Sequence, residues 1–106
     1  MLVVGHETTA VALTWTAWLL ARHQDIQDRI AAEVAGLPSD RPPTFLDLSR
    51  LSAIERAFRE ATRLYPPIYI LSREIVDPVG IGGYEMPPRS LVFLSPYVTQ
   101  RDPRWF

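Results

Sequence analysis

The chain contains no cysteine. Disulfides, thiolate metal sites and cysteine nucleophiles are therefore excluded together, and the redox compartment is left open. It also lacks an excess of either charge: 11 Lys and Arg against 12 Asp and Glu leave a net charge of -1 over 106 residues. The arginines are spread along the chain, so nothing supplies the concentrated basic patch that nucleic-acid or anionic-membrane partners require. No basic stretch or small-residue cleavage site frames the apolar amino-terminal segment, which argues against a signal peptide. An uninterrupted membrane-spanning run is missing too. Met1 to Leu20 has about the length of one, but His6, Glu7, Thr8 and Thr9 sit together inside it, and an ionisable residue at membrane depth is costly without a partner. Finally, histidine is scarce. His6 and Glu7 begin the zinc pattern His-Glu-x-x-His, but position ten is Ala10. His23 lies more than about four helical turns from His6, too far to share an ion with it.

What is present is the composition of a globular domain, 47% hydrophobic and 22% charged. From Thr8 to about His23 there is neither proline nor glycine, and Val11, Leu13, Trp15, Trp18, Leu19 and Leu20 point in several directions. A helix apolar on nearly every face belongs inside a large body, more than this chain can wrap around it, and is the first sign of a partial domain. A second, amphipathic helix is expected from about Gln24 to Val34, with Ile26, Ile30 and Val34 as its stripe and Gly36 as its stop. Gly36 to Pro43 reads as a surface loop. Thr44 with Asp47 forms a candidate capping pair for a short helical turn, and Ser52 with Glu55 a better one, opening a helix that runs to about Tyr65 before Pro66 and Pro67 end it. Beyond that, Ile68 to Val76, Val79 to Ile81 and Leu91 to Leu94 read as short strands. Asp77-Pro78, Gly82-Gly83 and Pro87-Pro88 turns separate them. The expected class is mainly α with small β pieces, an α+β arrangement without repeats.

Two clusters carry chemistry. In Gly5-His6-Glu7-Thr8-Thr9, side chains able to bond the backbone interrupt an apolar helix beside a glycine, which predicts a bend or groove. The plain alternative is that the threonines only satisfy carbonyls of their own helix. The second cluster is Glu60 and Arg63, one turn apart on a helix flanked by Phe58, Leu64 and Tyr65. Alone, such a pair is usually a solvated bridge of a few tenths of a kcal/mol. The apolar tail Leu64-Tyr65-Pro66-Pro67 points instead to partial burial, where an unpaired charge is expensive.

These clusters, in this order and separation, resemble the cytochrome P450 family. Gly5-His6-Glu7-Thr8-Thr9 is similar to the oxygen-binding groove of its central helix, and Phe58-Arg59-Glu60-Ala61-Thr62-Arg63-Leu64-Tyr65-Pro66-Pro67 to its Glu-x-x-Arg helix. Ser72-Arg73-Glu74, Gly83-Tyr84-Glu85-Met86-Pro87 and Arg101-Asp102-Pro103-Arg104-Trp105 match in turn. The resemblance covers the whole chain and implies a partial domain over 1–106: the end of the central helix at 1–23, an amphipathic helix at 24–36, the Glu-x-x-Arg helix at 52–65, short strands and turns at 68–96, and at 97–106 the start of the segment leading to the meander. It further implies haem, dioxygen and a small apolar substrate, with a ferredoxin, flavodoxin or flavoprotein reductase as electron donor; the location is left open, and is cytoplasmic if the source is a bacterium.

Residue by residue, the resemblance implies that Thr8 would hydrogen-bond dioxygen or a water beside it, and that Glu7 would help relay protons. Gly5 would leave room for the oxygen. Glu60 and Arg63 would form a structural ion pair on the side of the haem facing the thiolate, and Arg73 would pair with a haem propionate. Ile68, Tyr69, Ile70 and Leu71 would shape the substrate pocket, with Val4 on the opposite wall. Val4 stands where the family usually has alanine or glycine, Arg89 replaces a common glycine and Gln100 a common histidine. The family's axial cysteine has no counterpart among these residues, so the chain is expected to be inactive alone and not to hold haem stably, without a metal ligand of its own. The competing reading is a non-enzymatic helical module that docks through its apolar first helix.

Overall fold

The computed structural model describes residues 2–106, with side chains from Gly5 onward. It divides into two units, Met1–Pro67 and Ile68–Phe106. In the first unit, small residues decide how the helices meet. Helix α1, Leu2–Arg22, buries Ala12 and Thr16 and half-buries Thr8, Val11, Trp15, Leu19 and Leu20. These residues recur at steps of three and four and so form one stripe. Helix α3, Ser52–Leu64, presents Ala53, Ala57 and Ala61 at steps of four, and its Ala61 is 1% exposed. α1 packs on α3, and helix α2, Gln24–Ala35, packs on both. The far side of α1 remains open, with Leu13 56% exposed, in keeping with a helix whose apolar residues surround it. Gly36 ends α2 as expected, its amide bonding the carbonyls of Ala32 and Glu33. Among the described residues no helix is long and apolar enough to cross a membrane.

At the end of this contact Trp15 stacks on Tyr65, with ring centroids 4.2 Å apart and planes 9° from parallel. Trp18 meets both rings edge-on at 5.6 and 5.9 Å, and the Arg22 guanidinium lies 4.8 Å from the Trp18 ring centre. Aromatic pairs of this kind contribute about 0.5–1.5 kcal/mol beyond the area they bury. A cleft of about 410 Å³ lies between the three helices, lined by Leu19, Leu20, Ile26 and Leu64 and by Arg56 and Glu60.

The expected capping pair of Ser52 and Glu55 does not form. Leu51 occupies the cap position of α3, and its side chain has no acceptor to offer. The acceptor comes from α2: Glu33 takes a bond from Ser52 Oγ at 2.9 Å and from the Ala53 amide at 2.7 Å. Glu55 instead pairs along the surface with Arg59.

The expected pair at Thr44 and Asp47 does form, opening a 3-10 helix over Phe45–Arg50. The Thr44 amide and hydroxyl donate to Asp47 Oδ2 at 2.7 and 2.9 Å. Arg41 reaches in from the loop and donates to both carboxylate oxygens, at 2.7 and 2.9 Å. Asp47 is 4% exposed, and these bonds, led by Arg41, hold its carboxyl far below the usual carboxylate range. A depressed carboxylate contributes stability that is complete above its unfolded value of about 3.9 and is lost only as pH falls through the lower folded value. Asp47→Asn is therefore expected to lower the melting temperature near neutral pH and to lessen its fall in strong acid. Thermal melts of both forms between about pH 7 and pH 2 check this; parallel curves would contradict it.

In the second unit strand β1, Leu71–Glu74, pairs antiparallel with β4, Leu91–Leu94, in the register Leu71 to Leu94 and Glu74 to Leu91. Two bonds extend the ladder, from the Ile75 amide to the Ser90 carbonyl and from the Arg89 amide to the Ile75 carbonyl. The expected strand from Ile68 to Val76 is shorter than its apolar run, since Ile68, Tyr69 and Ile70 lie outside any ladder. Strand β2, Val79–Ile81, is as expected, but it pairs with an unforeseen β3, Tyr84–Met86. The two-residue hairpin between them needs positive φ at both central positions, which Gly82 and Gly83 supply at 58° and 86°. Arg89 also sits at a positive φ, 69°. The glycine that commonly fills this turn is thus explained, and a side chain here costs about 1–2 kcal/mol. One further helical turn, α4, Pro96–Thr99, was not expected; the Ser95 hydroxyl caps it and also donates to the Tyr69 carbonyl at 3.1 Å.

Candidate functional site

The first cluster lies near the start of α1, which runs through Gly5 without interruption. Thr9 Oγ1 donates to the Gly5 carbonyl at 2.7 Å, the bond back along the helix that the plain reading foresaw, so Thr9 is committed to its own backbone. Thr8 stands on the half-buried stripe and Glu7 beside it is exposed. Thr8 and Trp15 share that stripe, separated by about 10 Å of helical rise. Among the described residues a Cβ placed on Gly5 would meet nothing within 4 Å. The side chain of Val4 lies outside the described residues.

On α3, Arg63 and Glu60 form a two-pronged pair: Nε donates to Oε2 at 2.7 Å and Nη2 to Oε1 at 2.6 Å. The fork of the guanidinium matches the carboxylate oxygens one to one. Arg63 holds the Glu60 carboxyl below its ordinary range, and Glu60 raises Arg63 in return. The Arg63 side chain is 25% exposed and that of Glu60 55%, so the arginine is covered and the carboxylate half in water. Glu60 also lines the three-helix cleft. α1 and α3 pack within one unit, so the fold brings the helices bearing both clusters together.

The remaining candidates lie in the second unit. Arg73 stands on β1 and donates to the Ser72 carbonyl at 2.9 Å, and no carboxylate among the described residues is within ion-pairing distance of it. Ile68, Tyr69 and Ile70 are 48%, 66% and 44% exposed, and Leu71 opens β1 half-buried. A guanidinium without a carboxylate partner among the described residues, preceded by an exposed apolar run, has the chemistry that suits the edge of a haem: a propionate for the charge, an apolar face for the rest. An axial thiolate cannot come from these residues, because the chain has no cysteine. Among the described residues no cluster of His, Asp and Glu could hold an ion instead.

Sequence reasoning missed two residues that tie the helices together. Gln27 Nε2 donates to the Leu20 carbonyl at 2.6 Å, and Glu33 caps α3. Both sit beside the apolar stripe of α2, where a polar residue reads as solvated. No local signal distinguishes them.

The profile of the cytochrome P450 family matches residues 1–106. Cyclooctatin synthase of Streptomyces melanosporofaciens is 42% identical over 106 residues, which are 100% of this chain and 23% of that protein. Pentalenene oxygenase of Streptomyces avermitilis is 36% identical over 101 residues, 95% of this chain and 22% of that protein. A zebrafish cytochrome P450 solved with progesterone superposes with a TM-score of 0.90 at 28% identity, covering 97% of this chain and 25% of that one. The chain thus spans less than a quarter of the length of these curated relatives. Because the family profile accounts for every residue and the same fold recurs in a solved member, the chain belongs to the cytochrome P450 family.

Proposed function

We propose that the protein carrying this chain is a haem-dependent monooxygenase that inserts one atom of dioxygen into an apolar organic substrate. The observation that carries the reading is the pairing of helices: α1 with Glu7 and Thr8 beside Gly5, packed on α3 with its forked Glu60–Arg63 pair, in a chain matched throughout by the family. The oxygenase named among its relatives supports the reaction class.

Haem, when bound, supplies the chemistry that activates dioxygen. The balance is that of any monooxygenation: substrate, dioxygen, two electrons and two protons give hydroxylated product and water. The electrons come from a ferredoxin, flavodoxin or flavoprotein reductase. The protons are the business of this chain. Glu7 would pass protons inward, and the hydroxyl of Thr8 next to it would receive them and hand them on. Arg73 would hold a propionate, and Ile68, Tyr69, Ile70 and Leu71 would form an apolar wall that keeps water away and favours an apolar substrate. Glu60 and Arg63 are structural. Without an axial cysteine the 106 residues alone are inactive.

The test supplies the intact protein with electrons, labelled dioxygen and a panel of apolar substrates. One labelled oxygen atom should enter the product, and the reduced protein under carbon monoxide should show the absorbance of thiolate-ligated haem. Absence of both contradicts the reading. The isolated chain mixed with haem should lack that absorbance, and its appearance would overturn the claim of inactivity.

A further inference from the structure

The face that α3 presents to α1 is smooth, since Ala53, Ala57 and Ala61 offer only shallow ridges to the mixed stripe of α1, with Ala12, Trp15 and Thr16. Helices are normally held against sliding by side-chain ridges seated in grooves, and alanine provides little of either. Contacts at the ends of α3 then weigh heavily in its axial position. At its carboxyl end, Tyr65 stacks on Trp15. At its amino end, two donors, the Ser52 hydroxyl and the Ala53 amide, meet the Glu33 carboxylate. A helix normally satisfies its first amides with a cap from its own chain a residue or two away. This one is satisfied from a different helix, and that helix is itself tied to α1, because Gln27 donates to the Leu20 carbonyl at 2.6 Å. Gln27 and Glu33 are about 9 Å apart along α2, so one stiff element bridges the end of α1 and the start of α3. The acceptor role of Glu33 also shows in its ionisation: the Ala53 amide first, then Ser52 and Arg56, hold its carboxyl below the usual range.

We propose that α2 is a spacer that sets the register of α3 against α1, with Glu33 as its positioning residue and Gln27 as its anchor on α1. The register fixes where Glu60 and Arg63 stand relative to Glu7 and Thr8. For that consequence, though not for the register itself, the inference rests on the monooxygenase reading.

The experiment uses the intact protein with its tryptophans replaced by 5-fluorotryptophan, the Trp15 resonance being identified through Trp15→Phe. Trp15 reports the register because its stacking partner is at the far end of α3 from Glu33. In Glu33→Ala the Trp15 fluorine resonance should move by more than its linewidth, and the haem-loaded fraction should fall roughly fivefold, as for a lost cap. Glu33→Gln should restore both, since its amide oxygen accepts from Ala53 and its NH2 group can donate to Ser52. Ser52→Ala, which leaves the Ala53 bond in place, should move the resonance in the same direction by less and keeps the test open if Glu33→Ala does not fold. Asp47→Asn, a destabilising change away from the α1–α3 contact, should leave the Trp15 signal in place. The proposal is overturned if Glu33→Ala leaves that signal where it was, or if Asp47→Asn shifts it as far. Should it move in Glu33→Ala while the unaltered protein takes up no haem, the register claim stands and the monooxygenase reading fails.

Discussion

Arg63→Lys is expected to cut the yield of haem-loaded intact protein by more than about tenfold, and Arg63→Ala by at least as much. The charge is kept in the lysine variant, so electrostatics alone would forecast little change. The geometry forecasts a large one. Arg63 engages both oxygens of Glu60 through two different nitrogens, at 2.7 and 2.6 Å, and an ammonium cannot present that fork. The size of the effect depends on covering. Within these residues Glu60 is 55% exposed, and a half-solvated pair one helical turn apart contributes little. In the proposed reading further residues of the domain cover the pair in the intact protein, and removal of one partner would then strand a charge away from water. The same substitution in the isolated chain should accordingly have a slight effect on helicity, which circular dichroism checks. Glu60→Gln should resemble Arg63→Ala in the intact protein. Since Arg63 depresses the Glu60 carboxyl, the pair's contribution is complete above the unfolded value of about 4.3 and is lost as pH falls through the lower folded one. Haem loading should therefore be flat through neutral pH and decline only in acid. Equal yields from Arg63→Lys and the unaltered protein would remove the forked pair from the account.

Glu7→Gln should lower kcat by about a hundredfold while leaving substrate affinity unchanged. In the proposed reading the carboxylate beside Thr8 serves proton delivery and takes no part in holding an apolar substrate. Thr8→Ala should lose product formed per dioxygen consumed, and Thr8→Ser, which keeps the hydroxyl, should recover most of it. Thr9 is the informative control. Its hydroxyl is spent on the Gly5 carbonyl, so Thr9→Ala should remain close to the unaltered protein. Product yield, dioxygen consumption and a substrate titration separate these outcomes. Equal losses from Thr8→Ala and Thr9→Ala would mean that both threonines only satisfy the helix backbone.

The parts of the fold that could be read in the sequence are those fixed by neighbours along the chain. α1 was legible because no proline or glycine breaks it after Gly5, and the Glu60–Arg63 pair because residues one turn apart must meet. The Thr44–Asp47 cap was legible for the same reason, but not the burial of Asp47, which depends on Arg41 folding back from the loop. Strand β3 is as short as β2 but lacks the β-branched Val79 and Ile81 that made β2 legible, although the Gly82-Gly83 pair before it marks a hairpin. The capping of α3 was misread because Ser52 and Glu55 carry the local pattern, whereas the bond that forms comes from Glu33, 19 residues before Ser52. Arg89 is the reverse case, a turn recognisable despite its side chain, since the backbone still takes the positive φ of the glycine it replaces.

One measurement bears most directly on the whole account: a crystal structure of the intact protein with haem bound. It should show the hydroxyl of Thr8 above one face of the porphyrin, the Arg73 guanidinium on a propionate, and Glu60 with Arg63 enclosed beneath the opposite face. A structure with Thr8 remote from the ring, or with Glu60 turned into bulk water, would contradict it.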